Sequence, residues 1–146
     1  MMTVKFVKLK DNAIVPTYGT EFSAGADLYA LPDSAIKIDA GETVLIHTGI
    51  AMQIPDDYVG MIFARSGIST KRGLAPANKV GVIDSDYRGE IMVALHNHSD
   101  KTQEIAAGER VAQLVIMPYI TAEFVESETL QETERATGGF GSTGTK

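Results

Sequence analysis

Glycine and proline interrupt this chain at roughly 8–12-residue spacing, and the runs between them are short and rich in Val, Ile and Thr. Such punctuation leaves little room for helices and predicts an all-β domain. Strands are expected over 43–54, ended by Pro55-Asp56-Asp57, over 58–64, 89–96 and 110–119, and more briefly over 122–126. Residues 111–117 are nearly all apolar and are expected to be buried on both faces. One helix is predicted over 66–71, with Ser66 as its cap and Gly73 where a left-handed terminating residue belongs. From 127 onward apolar periodicity gives way to Glu, Thr, Gly and Ser, which reads as a mobile tail. The expected organisation is a β body over 1–126 and an arm over 127–146.

At 146 residues the chain has the length of one domain. A domain of this size buries roughly two-thirds of its unfolded surface. There is no cysteine, so disulfides and thiolate metal sites are excluded and a reducing, cytoplasmic setting fits. The formal charge of −6 argues against nucleic acid or an anionic membrane as partner. No apolar run approaches a membrane span, and the N-terminus alternates Val and Phe with Lys, unlike a signal peptide. A soluble intracellular protein is expected. If its ligand is a polyphosphate, the favourable charge must be local or brought by a metal.

One short echo stands out. Ile38-Asp39-Ala40-Gly41-Glu42-Thr43-Val44 resembles Ile105-Ala106-Ala107-Gly108-Glu109-Arg110-Val111. Both place a Gly turn just before a strand, which reads as shared turn chemistry rather than duplication.

Five segments depart from ordinary strand and turn sequence. In Ala24-Gly25-Ala26-Asp27-Leu28-Tyr29-Ala30, small residues surround one carboxylate and allow close approach; Asp27 alone also reads as a turn residue. Ala64-Arg65-Ser66-Gly67 puts an Arg, a hydroxyl and a Gly at a helix start, where backbone N–H groups bind anions; the alternative is an N-cap beside a surface Arg. No G-x-S-x-G elbow or activating His makes Ser66 a nucleophile. Asn78-Lys79-Val80-Gly81-Val82-Ile83-Asp84-Ser85-Asp86-Tyr87-Arg88-Gly89-Glu90 predicts a β-hairpin that presents backbone groups to a flat ligand such as a base. Asp84 follows an apolar pair, so partial desolvation would suit it as a general base, whereas Asp86 and Glu90 read as a solvated acidic turn. In Arg110-Val111-Ala112-Gln113-Leu114 the polar members of an apolar strand need a partner, either a ligand or a neighbouring backbone. Arg135-Ala136-Thr137-Gly138-Gly139-Phe140-Gly141-Ser142-Thr143-Gly144 is a strip of donors able to wrap phosphates, with Phe140 to cover a base. It is not a Walker A loop, since Thr145 stands where Lys is required, and alone it reads as a disordered tail. The three histidines, including His96 and His98 two apart, make a poor Zn site and are assigned structural roles.

In this order and spacing the five segments, from about residue 20 to residue 144, resemble the motifs of the trimeric dUTPase family. The resemblance implies a distorted jelly roll or β-barrel of the dUTPase-like β-clip kind. It also implies a homotrimer whose C-terminal arm closes over a site formed by the other two subunits. The implied reaction is Mg2+-assisted hydrolysis of dUTP to dUMP and pyrophosphate, which supplies dUMP for thymidylate synthesis and keeps uracil out of DNA. By the same resemblance Asp84 is the base, and Tyr87 stacks on the deoxyribose and leaves no room for a 2′-hydroxyl. Asn78 and the backbone of Gly81, Val82, Ile83 and Asp84 read uracil, with Met92 near sugar and base. Arg65, Ser66, Gly67 and Gln113 match phosphate and water contacts, and Asp27 a carboxylate holding a metal-bound water. Arg135, Phe140, Gly141, Ser142 and Thr143 match the arm's phosphate and stacking contacts. One departure is Ala136, where the family often has Gly; a positive φ there would cost about 1 kcal/mol and have a modest effect on KM. Alternatives in view are a dCTP deaminase or bifunctional enzyme of the same fold, a regulatory protein that kept the fold, and a structural trimer without chemistry.

Overall fold

The computed structural model of the chain describes residues 2–31 and 33–139. The elements run β1 (Lys5–Lys8), β2 (Thr17–Tyr18), β3 (Ala26–Tyr29), β4 (Ile36–Ile38), β5 (Thr43–Gln53), β6 (Tyr58–Phe63), α1 (Ser66–Arg72), β7 (Leu74–Pro76), β8 (Gly81–Ile83), β9 (Glu90–Asn97), β10 (Gln103–Ile105) and β11 (Arg110–Pro118). They form a four-stranded sheet in the order β1-β5-β9-β7 and a five-stranded sheet in the order β2-β3-β11-β6-β8, with β4 and β10 paired separately. Every pairing is antiparallel. The inner faces of both sheets meet in one core that includes Leu28, Ile46, Ile62, Leu74, Ile91, Val93, Leu95, Val111 and Leu114. The result is the jelly-roll-like, all-β fold expected.

Period-two alternation is clearest in β9, where Ile91, Val93, Leu95 and Asn97 are buried and Glu90, Met92, Ala94 and His96 half exposed. Burying each such apolar side chain contributes about 1.5–3 kcal/mol, so this face alone holds β9 in the core. The buried polar Asn97 donates to the carbonyls of Ile38 (2.9 Å) and Lys101 (2.8 Å), which ties β9 to β4 and closes the following turn. Helix α1 ends as expected, with Gly73 left-handed at φ 69 and its N–H returned to the Ser69 carbonyl.

The echo is turn chemistry. In both copies the Glu side chain accepts the backbone N–H three residues earlier: Glu42 from Asp39 and Glu109 from Ala106, each at 2.9 Å. The strands preceding the two turns, β4 and β10, pair with each other.

Four expectations are corrected. The hairpin across 78–90 does not form: β8 pairs with β6 in the five-stranded sheet, whereas β9 pairs with β5 and β7 in the other. The connection over 84–89 is longer than a tight hairpin turn, and β9's apolar face has a deeper place between two strands. Residues 122–126 form no strand; Phe124 and Val125 are exposed and pair with no strand among the described residues. Ser66 is the first helical residue rather than the cap; Arg65 holds the cap position at φ −89, ψ 129, with no side-chain cap bond. Burial over 111–117 holds only in part, for Val111, Ala112 and Leu114 are buried but Met117 is 42% exposed.

Candidate active site

The first cleft is built by β3, β6 and β11. Register places Gln113 of β11 between Asp27 of β3 and Phe63 of β6. Arg65 and Ser66 follow where β6 runs into α1. Gly25, Asp27, Arg65, Ser66, Gly67, Arg110 and Gln113 contribute to the lining of a cleft of about 570 Å3. Asp27 is its centre: one carboxylate oxygen accepts from Arg65 Nε at 2.6 Å, the other from Arg110 Nη1 at 3.1 Å. Two guanidinia against one carboxylate leave a surplus positive charge within a chain of net −6. Sequence reasoning asked only that Arg110 find a partner; the structure supplies Asp27.

Gln113 donates from Nε2 to the Ala64 carbonyl at 2.9 Å, the neighbouring-backbone alternative held open above. Its packing explains Gly25, since a Cβ there would stand 2.7 Å from Gln113 Oε1. The first turn of α1 has no side-chain cap and no acidic residue, so it leaves the cleft's positive character intact.

The second cleft forms where the chain passes twice between the sheets, from β7 to β8 and from β8 to β9. Leu45, Asn78, Val82, Ile83, Asp84, Tyr87, Glu90, Met92 and Ala94 line about 290 Å3. A narrower recess of about 90 Å3 continues inward between β8 and β9 and includes Gly81. Because β8 is an edge strand bonded only to β6, the other side of its backbone is outside any ladder. Tyr87 lies over Gly89, where a Cβ would fall 2.4 Å from the tyrosine oxygen. Its hydroxyl donates to the Glu90 carbonyl at 3.1 Å.

Two expectations about this cleft change. Asp84 is exposed in the single chain rather than partly desolvated, because it leaves the edge strand just beyond Ile83 with nothing above it. Glu90 is no solvated turn residue. Its carboxylate accepts from the Gly49 N–H and bonds to His47 Nδ1, both at 2.8 Å. Burial pushes this carboxyl up, but the His47 and Gly49 hydrogen bonds outweigh it and hold Glu90 below the ordinary 4.5. Its place was legible in the period of β9, which puts residue 90 on the face of Met92.

The two clefts share no lining residue. Register sets Ile83 opposite Gly60, so Asp84 lies near the start of β6 and Arg65 beyond its end. At the strand rise that separation is about 20 Å. Beyond β11, Arg135 Nε donates to the Gly138 carbonyl at 2.9 Å, and Ala136 holds the positive φ, 43, that was in question. Phe140, Gly141, Ser142 and Thr143 lie outside the described residues. Among the described residues no three His, Asp or Glu side chains converge as a metal cage, and no helix is long and apolar enough to cross a membrane.

A family model described as dUTPase matches residues 11–144. The deoxyuridine 5′-triphosphate nucleotidohydrolase of Nautilia profundicola is 49% identical over 143 residues, covering 98% of this chain and 99% of that protein. The Staphylococcus bacteriophage 80alpha dUTPase with dUPNHPP superposes at a TM-score of 0.89 with 29% identity, covering 99% of each chain. A mutant dUTPase from phage phi11 of S. aureus, which coordinates a structural Mg(II) ion, superposes at 0.81 with 26% identity over 90% of this chain and 100% of that one. With residues of the first four motifs gathered into two clefts of a jelly-roll-like body, the chain belongs to the dUTPase family.

Proposed function

We propose that this chain hydrolyses dUTP to dUMP and pyrophosphate, with the reacting nucleotide held between the phosphate cleft of one subunit and the nucleoside cleft of another. The carrying observation is the separation of the clefts. Asp84 and Arg65 lie about 20 Å apart along one chain, whereas a general base must be within one water of the proton it takes. A homotrimer that sets the Asp84 cleft of one copy against the Arg65 cleft of the next removes this gap and covers Asp84. The arm over 127–146, with Arg135, Phe140, Gly141, Ser142 and Thr143, closes from the third copy.

In this reading uracil enters the recess between β8 and β9 and takes the hydrogen bonds that a hairpin partner would have taken from the free edge of Gly81–Ile83. Asn78 completes the polar edge and Met92 the apolar floor. A base with mismatched donors would leave those groups unpaired. The Tyr87 ring stacks on the deoxyribose and refuses a 2′-hydroxyl. Arg65, Ser66, Gly67 and Gln113 hold the phosphates and the attacking water. Asp84 accepts the water's proton as its oxygen bonds to the α-phosphorus in line, and the bond from that phosphorus to the bridging oxygen breaks, releasing pyrophosphate.

Mg2+ fits the residues present. A carboxylate has about four lone-pair positions. The two guanidinia on Asp27 therefore leave room to accept a metal-bound water, and the ion itself prefers phosphate oxygens and water to an all-protein cage. When bound it neutralises charge on the triphosphate. A cysteine-free chain suits the cytoplasm.

The test is pyrophosphate release from dUTP, dCTP, dTTP and UTP with Mg2+, alongside ammonia release from dCTP. Only dUTP is expected to be cleaved, and Asp84→Asn is expected to fold and lose at least ~10²-fold in kcat. Ammonia release would install the deaminase reading, and dUTP binding without turnover the regulatory one.

A further inference from the structure

Opposite the start of β9, strand β5 is irregular. The register passes from His47↔Met92 to Ala51↔Glu90, so β5 advances four residues while β9 advances two. Gly49 within this bulge is left-handed at φ 69. A bulge takes backbone groups out of the ladder, and side chains must satisfy them. Glu90 and Thr48 share this. Glu90 Oε1 accepts the Gly49 N–H and its Oε2 holds His47 Nδ1, each at 2.8 Å, while the Thr48 hydroxyl donates to the Ile91 carbonyl at 2.6 Å and accepts the Ile50 N–H at 3.2 Å.

The same residue also holds the tyrosine. The Glu90 carbonyl accepts the Tyr87 hydroxyl at 3.1 Å, and the ring occupies the space that a side chain at Gly89 would take. The carboxylate of residue 90 thus stitches the bulge, and its carbonyl aims the ring. Ile91, Val93 and Leu95 anchor the rest of β9 in the core. What Glu90 controls is the position of the strand's first residue, to which the ring is tethered.

We propose that Glu90 is a positioning residue for sugar discrimination: by closing the β5 bulge it fixes the carbonyl that orients Tyr87. This rests on the reading of Tyr87 as the deoxyribose platform. Excluding a single hydroxyl demands placement within about half an ångström, so the ring needs a support of this kind.

The experiment compares kcat and KM for dUTP and UTP in wild type, Glu90→Ala, Glu90→Gln and Tyr87→Ala, each with a thermal melt. Glu90→Ala is expected to lower the dUTP preference at least ~10-fold, with the loss falling on KM for dUTP more than on kcat. Glu90→Gln keeps an oxygen for the Gly49 N–H and is expected to stay within ~3-fold of wild type. If Tyr87→Ala loses the preference and folded Glu90→Ala keeps it, the inference fails and the Tyr87 reading stands. If Tyr87→Ala keeps the preference, the Tyr87 reading fails and carries the inference with it. Should Glu90→Ala not fold, Tyr87→Phe decides, because it keeps the ring but removes the hydroxyl that the Glu90 carbonyl holds: lost preference supports the tether and retained preference overturns it.

Discussion

The Asp27 cleft and the Asp84 cleft are made differently. In the first, Asp27 and Gln113 sit on paired strands, and Asp27 is held by two arginines at 2.6 and 3.1 Å. Its charges are in place before any ligand arrives. In the second, Val82 is 58% and Tyr87 41% exposed, Asp84 is exposed, and the free edge of β8 awaits a partner. The first cleft is complete once the chain has folded; under the proposed function the second is completed by another subunit and the ligand. The contrast follows from charge and shape: guanidinia and carboxylate satisfy one another within a chain, whereas an edge proposed to read a base must stay open to do so.

The comparison breaks most decisively in a mixing experiment. Arg65→Ala and Asp84→Asn chains are each expected to be inactive alone. Refolded together in equal amounts, they should recover about a quarter of wild-type dUTP turnover, the fraction of sites with both intact faces in random closed assemblies. No recovery would place both clefts' work in one chain.

Asp27→Ala should follow in size. It strands two guanidinia, costs roughly 2 kcal/mol by denaturant melting, and lowers kcat/KM for dUTP more than tenfold. A melt unchanged within error would show that the first cleft is not held by this clasp.

Acid sharpens the contrast more gently. Glu90 is held below 4.5 in the folded chain, so its contribution is complete above that value and is lost as pH falls through the lowered one. The Tm advantage of wild type over Glu90→Gln should therefore be greatest near neutrality and close as the pH falls below 4.5 and on through the lowered value. An advantage that grew on acidification would reverse the sign argued here.

The smallest effect belongs to the arm. Ala136 at φ 43 is strained by about 1 kcal/mol, so Ala136→Gly should lower KM for dUTP by at most ~3-fold at unchanged kcat. A raised KM would mean that Ala136 favours the closed arm by stiffening it.

Much of this was readable from residue order. Runs rich in Val, Ile and Thr between Gly and Pro breaks located β5, β6, β9 and β11, because β-branched and apolar residues favour a pleated, half-buried surface. Gly73 terminated α1 because only glycine takes that φ without cost, and the Gly-Glu echo foretold two like turns, since those bonds span three residues. All of these rest on local interactions. The hairpin assigned to 78–90 failed because the same local pattern suits a hairpin or two strands in different sheets, and only competition for core positions separates them.

What the sequence by itself determined is the strand inventory, the turn chemistry and the identity of the chemical groups, all set within a few residues along the chain. Only the tertiary structure decided that Asp27 is clasped by Arg65 and Arg110, that β8 keeps an open edge, that Asp84 stands exposed, and that Glu90 closes a bulge in β5. The clasp pairs residues 38 and 83 positions apart and the Glu90–His47 bond spans 43. Contacts at such separations form only when strands distant along the chain pair within a sheet, β3, β11 and β6 in one and β5 and β9 in the other, so no local pattern encodes them.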